Sequence, residues 1–293
     1  MKFGSVSVLA VVLLLVNSSV NAVTINFNYD FDTNGFFNDS SRRSTLEAAG
    51  TFFESHITDE LKAIDSSEGR FDVKFTHPGT GDEEMRTGYS VASDTLVVFA
   101  GGRGFGGHTL GVGGPGGFSA GGSDSFLDIV RTRGKTDATG SSILDFGPWG
   151  GSITFDTDSS WYFDQDTTTD ESFSGNDFYS VALHELGHLL GIGTSASWND
   201  QVKGTLFTGS ASGSVNLDND TTHWQEGLIS TINGVSQETA MDPSLTVGTR
   251  KHFTDLDLAA LQDVGWEVTA VPLPSALLLF GGGLAVLARR ART

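Results

Sequence analysis

The chain has 293 residues, 36 of them acidic and 17 basic, for a formal net charge of −19. That length supports one large or two small domains with a real core, and a surface this acidic repels nucleic acid, which excludes DNA or RNA as a partner. With no cysteine in the chain, disulfides and a cysteine-latched zymogen are excluded as well, so stability must come from the core and any bound metal ions.

The first segment, 1–22, reads as a signal peptide. Lys2 supplies the positive start, Val6 to Val16 is almost wholly apolar, and Val20-Asn21-Ala22 suits a signal peptidase cutting before Val23. The alternative is a buried N-terminal strand or an uncleaved anchor. Thr24 to Tyr29 alternates, with Ile25, Phe27 and Tyr29 on one face, and predicts a strand. Ser44 to Ile64 places Leu46, Ala49, Phe53, Ile57 and Leu61 at helical spacing. Phe71, Val73 and Phe75 alternate again, and Thr95 to Ala100 is a continuous apolar run suited to a strand covered on both faces. The first hundred residues thus read strand, helix, strand, strand.

Residues 101–122 include 12 glycines. Gly102, Gly104 and Gly107 match a G-x-G-x-x-G dinucleotide fingerprint, but that motif needs a helix to follow. His108-Thr109-Leu110-Gly111 and then Gly113-Gly114-Pro115 cannot start one well, so a long Gly-rich surface loop is expected. Gly151 to Phe155 predicts a short strand, with Ile153 and Phe155 alternating. The stretch from Asp156 to Asp177 is rich in carboxylates, which could hold Ca2+ or form a solvated loop.

The strongest pattern is His184-Glu185-Leu186-Gly187-His188. Asn176 or Asp177 can cap a helix running from Phe178 to Leu190, and Gly191 ends it as a C′ glycine does. Histidines four apart project from one helical face and can grip one zinc ion. The neighbouring Glu185 can take and relay a proton, while zinc lowers the pKa of water and polarises a peptide carbonyl. A pair of solvent-facing histidines on a helix is the bland alternative, and the exported chain, a preceding edge strand and the immediate glycine stop weigh against it.

The run His184-x-x-x-His188-x-x-Gly191-x-x resembles the metzincin signature, in which a residue three beyond the glycine is the third zinc ligand. Here that residue is Thr194, a poor ligand. Metzincins of the leishmanolysin type insert chain between the glycine and a third histidine in a His-Trp context similar to Thr222-His223-Trp224-Gln225-Glu226. The resemblance implies that 195–222 is an insertion and His223 the ligand, with His252 as the runner-up. His56, His77 and His108 come too early in the chain and read as surface or core residues. In the family a methionine in a tight turn lies beneath the zinc. Met241, in Glu238-Thr239-Ala240-Met241-Asp242-Pro243, matches that Met-turn. Thr254-Asp255-Leu256-Asp257-Leu258 opens a last helix capped by Thr254 and ended by Gly265-Trp266, similar to the closing helix of matrixins.

At the C-terminus, Val268 to Ala288 is uncharged and is followed by Arg289, Arg290 and Arg292. It is just long enough to span a bilayer, with the arginines cytoplasmic. With Val271-Pro272-Leu273-Pro274-Ser275 inside it, the segment resembles the PEP-CTERM sorting signals of Gram-negative bacteria in their Val-Pro-Leu-Pro variant. That resemblance implies handling by an exosortase, and a plain membrane anchor is the alternative.

Together these features resemble bacterial matrixin-like metalloproteases with PEP-CTERM tails, over roughly Thr24 to Val268 and most specifically from Gly151 on. The resemblance implies an α/β metzincin-type zincin domain at 23–268, between the signal peptide and a sorting segment at 269–293. Its twisted, mostly parallel sheet with an antiparallel edge strand packs on the first helix and the catalytic helix, and a C-terminal helix closes the domain. Substrate would lie along an edge strand near Ile153. The expected function is that of an exported, monomeric zinc endopeptidase at the cell surface or outside it, acting on protein or peptide substrates. Its ligands would be His184, His188 and His223, and its base Glu185. The rival reading is a non-catalytic surface or matrix protein with a degenerate zinc site.

Overall fold

The computed structural model describes residues 23–135, 146–164, 166–169 and 171–269. Residues 1–22, expected as a signal peptide, and nearly all of 269–293, expected as a sorting segment, lie outside the described residues. Among those described, no helix is long and apolar enough to cross a membrane.

In chain order the elements are β1 (Thr24–Asn28), a 3-10 turn (Phe36–Asn38), α1 (Ser40–His56), β2 (Arg70–Thr76), β3 (Glu83–Arg86), β4 (Thr95–Arg103), β5 (Gly111–Pro115), β6 (Gly117–Gly121), α2 (Asp124–Thr132) and β7 (Gly150–Asp156). Then follow β8 (Trp161–Tyr162), β9 (Asn176–Asp177), α3 (Phe178–Leu189), α4 (Ala196–Asp200), β10 (Val202–Lys203), β11 (Leu206–Gly209), β12 (Gly213–Asn216), β13 (Ile229–Ile232), β14 (Val235–Glu238) and α5 (Asp255–Asp263).

The main sheet has the order β1-β4-β7-β5. β1, β4 and β7 run parallel, and β5 is antiparallel to β7. This is the expected mostly parallel sheet with an antiparallel edge, a mixed α/β fold consistent with a matrixin-type zincin domain. On one face, Leu46, Ala49 and Phe53 of α1 and Leu183 and Leu186 of α3 join Leu96, Val98 and Ile153 of the sheet in one core. On the other, Phe71, Val73 and Phe75 of β2 meet Phe99 and Trp149, under a second sheet of order β3-β2-β6. β4 is therefore covered on both faces, as its unbroken apolar run demands.

Helix α1 begins at Ser40, earlier than the apolar spacing suggests, because the Asp39 carboxylate accepts from Ser41 N–H at 2.8 Å and caps it. It stops at His56. Ile57 turns extended and bridges Val268, and Leu61 donates its N–H to Asp94. Both side chains are buried, so their helical spacing reflects core packing of a loop. The short β3, Glu-Glu-Met-Arg, has one apolar residue, carries no alternation signal and pairs with β2.

Two expectations about strands are corrected. Residues 101–122 are not a surface loop: they hold the end of β4, all of β5 and all of β6. From Gly107 the chain enters β5 and not a helix, so the dinucleotide fingerprint lacks its required partner. The edge strand is β5, not the strand of Ile153. Ile153 is fully buried, and β7 lies between β4 and β5. Glycine hides β5 because its use there answers a long-range need: a Cβ at Gly113 would run into the carbonyl oxygen of Glu185 on α3.

The segment 195–222, expected as an insertion, packs around aromatic side chains. Trp198 of α4 stacks on Phe207 of β11 at 4.1 Å and lies 5.2 Å from Trp224. β10, β11 and β12 form an antiparallel sheet. Asp263 of α5 accepts from Ala211 N–H at 2.7 Å and Ser212 N–H at 2.9 Å, tying the β11–β12 turn to the last helix.

Candidate metal centre and cleft

Helix α3 is fixed at its N-terminus by Asp177, whose carboxylate accepts from Ser180 N–H at 3.1 Å and Ser180 Oγ at 2.6 Å. Arg250 reaches the same carboxylate at 2.9 Å and Asp164 at 2.7 Å, with all three side chains buried. The helix ends where Gly191 takes φ +109°, a conformation that favours glycine. Thr194, at the position of the usual third ligand, donates its hydroxyl to His188 O at 2.6 Å and so serves the helix end.

The third histidine returns from the far side of the insertion. His184 Nε2 lies 3.1 Å from His188 Nε2 and 3.2 Å from His223 Nε2, and the last two are 3.0 Å apart. Gly193 permits this return: its φ is +73°, and a Cβ there would strike the Thr222 carbonyl oxygen. Leu217 and Trp224 close the loop by a bridge. His252 lies outside this trio. It sits against Tyr179, with ring centroids 6.3 Å apart. His56 is buried against Phe52, His77 accepts from Gly79 N–H, and His108 is exposed on the cleft rim.

Each imidazole is oriented through its other nitrogen. His184 Nδ1–H donates to Ala240 O at 2.7 Å, His188 Nδ1–H to Ile192 O at 2.9 Å, and His223 Nδ1–H to Asp220 Oδ2 at 2.6 Å. Because these partners only accept, each Nε2 is left with its lone pair facing the other two. Burial, with the neighbouring imidazoles, holds His184 well below the usual histidine range, and burial takes His188 down to about 4. Three lone pairs this close repel one another unless a cation lies among them. A tetrahedral zinc with bonds of about 2.0–2.1 Å spaces its nitrogens by about 3.3 Å, so the cluster fits that ion with a small expansion. Among the described residues, this trio is the one group of histidines and carboxylates that could hold a metal.

Calcium is not supported: carboxylates that could have held it are engaged elsewhere. Asp164 and Asp177 pair with Arg250, Asp156 accepts from Phe105 N–H and Ser159 Oγ, and Glu171 accepts from Tyr162 Oη.

Met241 is fully buried beneath α3. A Cβ at Gly187 would come within 2.5 Å of its sulfur, so Gly187 makes the room for it. The expected Met-turn is held by a residue whose role sequence patterns do not show. Asp257 of α5 is buried and accepts from Trp224 Nε1 at 2.9 Å, Ala240 N–H at 2.9 Å and Met241 N–H at 3.3 Å. It also completes a capping box with Thr254. One carboxylate thus braces the residue after His223 and the residue whose carbonyl orients His184. Burial raises its pKa, and these hydrogen bonds oppose the rise.

Glu185 is 6% exposed and faces the same cleft as the three histidines. Burial pushes its carboxyl up to about 8, against a hydrogen bond from Gly113 N–H. The cleft has a volume of about 910 Å³. One wall is Leu110 to Gly113 and the other is Asp242 to Leu245. Lys251, buried at its inner end, pairs with Asp242 at 3.1 Å and Glu238 at 3.0 Å and donates to Ser244 O at 2.7 Å. β5 offers an open strand edge to this space. Leu110 O accepts from Asp156 N–H and Gly116 N–H donates to Gly150 O, both toward β7. By alternation, Gly111 and Gly113 turn their backbone groups outward.

A mostly parallel sheet, two packed helices and a convergent histidine trio beside a buried glutamate define a zincin-type domain with a metal-capable centre. Residues 133–228 match the family model described as Matrixin. That span includes His184, Glu185, His188 and His223, is less than half of the 293-residue chain, and stops before Met241. No curated protein and no solved structure matches the chain. The match supports a matrixin-like, zinc-dependent metalloprotease family.

Proposed function

We propose that the protein is an exported zinc endopeptidase that hydrolyses peptide bonds in protein substrates. The observation that carries this is the convergence of His184, His188 and His223 Nε2 atoms within 3.0–3.2 Å, in one cleft with Glu185. When bound, zinc supplies a Lewis acid that polarises a peptide carbonyl and acidifies water. The chain does the rest. Ala240 O, Ile192 O and Asp220 keep the three rings aimed at a common point. The outward edge of β5 pairs with an extended peptide and lays the scissile bond across the cleft. Glu185 takes the proton of the attacking water and delivers it to the departing amide nitrogen. A carboxylate buried beside the three imidazoles is placed to accept that proton and return it.

The rival is a degenerate site on a surface or matrix protein. His223 beside the helix pair argues against it, because it offers the third nitrogen that Thr194 cannot.

Export by a signal peptide at 1–22 and sorting by an exosortase acting on the tail complete the proposal, with a monomer as the working form. Protein recovered outside the cell is expected to begin at Val23. An N-terminus at Met1 would overturn the signal-peptide assignment. The purified protein is expected to bind one zinc per chain and to cleave casein. A chelator should abolish the cleavage and added zinc restore it. Casein left intact by the zinc-loaded protein would refute the endopeptidase assignment.

A further inference from the structure

We propose that Gly111 and Gly113 are positioning residues for Glu185: the lack of side chains there lets β5 lie directly on α3, and the Gly113 amide holds the Glu185 carboxylate. The catalytic consequence rests on Glu185 being the proton carrier; the contact itself does not.

Residues two apart on a strand point the same way. A Cβ at Gly111 would lie 2.7 Å from Glu185 Oε1 and 2.8 Å from its Cγ. A Cβ at Gly113 would lie 2.5 Å from the Glu185 carbonyl oxygen and 2.8 Å from its Cβ. Neither glycine has a positive φ, so an L residue could adopt either backbone conformation. Glycine is needed at both positions for space. The contrast within the same glycine-rich stretch is sharp. Gly114 has no atom within 4 Å of a built Cβ, and Gly117 meets only Lys74 Cβ, at 3.9 Å. Val112, between the pair, is 45% exposed and points away.

The alternation of β5 leaves the Gly113 N–H without a β7 partner, and in the proposal that amide serves Glu185, whose side chain packs against the strand. The strand edge that receives a peptide therefore also sets where the carboxylate sits.

The two glycines differ in what they touch. Alanine at 111 meets the far end of a flexible side chain, so the carboxylate swings while strand and helix stay. Alanine at 113 meets helix backbone, so the strand must move, taking its outward edge along. Gly111→Ala is expected to lower kcat by about 10- to 100-fold with KM and zinc content unchanged. Gly113→Ala should alter kcat and KM together. Gly117→Ala, on the neighbouring strand, should match the wild type.

A second readout needs neither metal nor turnover. In the metal-free protein, amide hydrogen exchange at Gly113 is expected to be slower than at Gly111, which faces the cleft with no such acceptor. Glu185→Ala should raise exchange at Gly113 about tenfold and leave Gly111 unchanged. Unchanged exchange at Gly113 in Glu185→Ala would overturn the contact, whether or not the protein proves to be a protease. Full kcat in Gly111→Ala, in a wild type that cleaves casein, would overturn the positioning role. A wild type that does not cleave casein would refute the endopeptidase assignment alone, and exchange would still decide the contact.

Discussion

Replacing His223 with alanine is expected to empty the metal site while the chain stays folded. Two imidazoles remain on α3, and a catalytic zinc normally draws three protein ligands. The affinity loss should exceed the ~10–100-fold that removing an outer-shell partner costs. Folding should survive because the loop is anchored by other groups. Trp224 is fully buried, stacks near Trp198 and donates to Asp257, and Trp224 N–H donates to Met241 O. The His223 side chain itself is 19% exposed. Metal analysis should therefore read about one zinc per chain in the wild type and near none in His223→Ala, with the same far-UV circular dichroism. His252→Ala, outside the trio, should keep its zinc. Zinc retained by His223→Ala and lost from His252→Ala would transfer the ligand role.

The second large effect is expected at Glu185. Glu185→Ala should keep its zinc and lower kcat/KM by about 10²–10⁴-fold, the usual worth of a positioned proton carrier. Glu185→Gln refines the result. A carboxamide oxygen can still accept from Gly113 N–H, yet it cannot take a proton from water. Equal losses in both variants would place the effect in proton transfer. Cleavage surviving in either would remove Glu185 as the base. Loss of zinc from both would make the carboxylate a structural brace.

Most of the centre is legible in the sequence because its parts are local. The i, i+4 histidines, the Asp177 cap and the Gly191 stop all lie within a few turns of one helix. Even the approach of His223 to the helix pair is readable, because Thr194 is a poor ligand and His223-Trp224 supplies a familiar context. What stayed hidden depends on contacts between distant residues. Gly111 and Gly113 read as loop because glycine carries no periodicity, and their reason for being glycine is Glu185 of α3, more than 70 positions away. Asp257 reads only as a polar position in the first turn of the last helix, where it completes the capping box of Thr254. Its second task, holding Ala240, Met241 and Trp224, appears only when three loops meet at one carboxylate. Asp220 is close to His223 in sequence, but a turn is needed to swing it onto Nδ1. The misplaced edge near Ile153 has the same origin. A buried central strand and an edge strand both show short apolar alternation, and the pairing of β5 against β7 decides between them.

The central claim is that a 28-residue excursion, 195–222, brings His223 back to complete a site begun on α3. Anomalous diffraction at the zinc edge, on crystals of the zinc-loaded protein, tests it most directly. The account predicts one strong peak about 2.0–2.1 Å from the Nε2 atoms of His184, His188 and His223. A peak bound by His184 and His188 with His252 or a carboxylate as the third ligand, and His223 turned away, would contradict it.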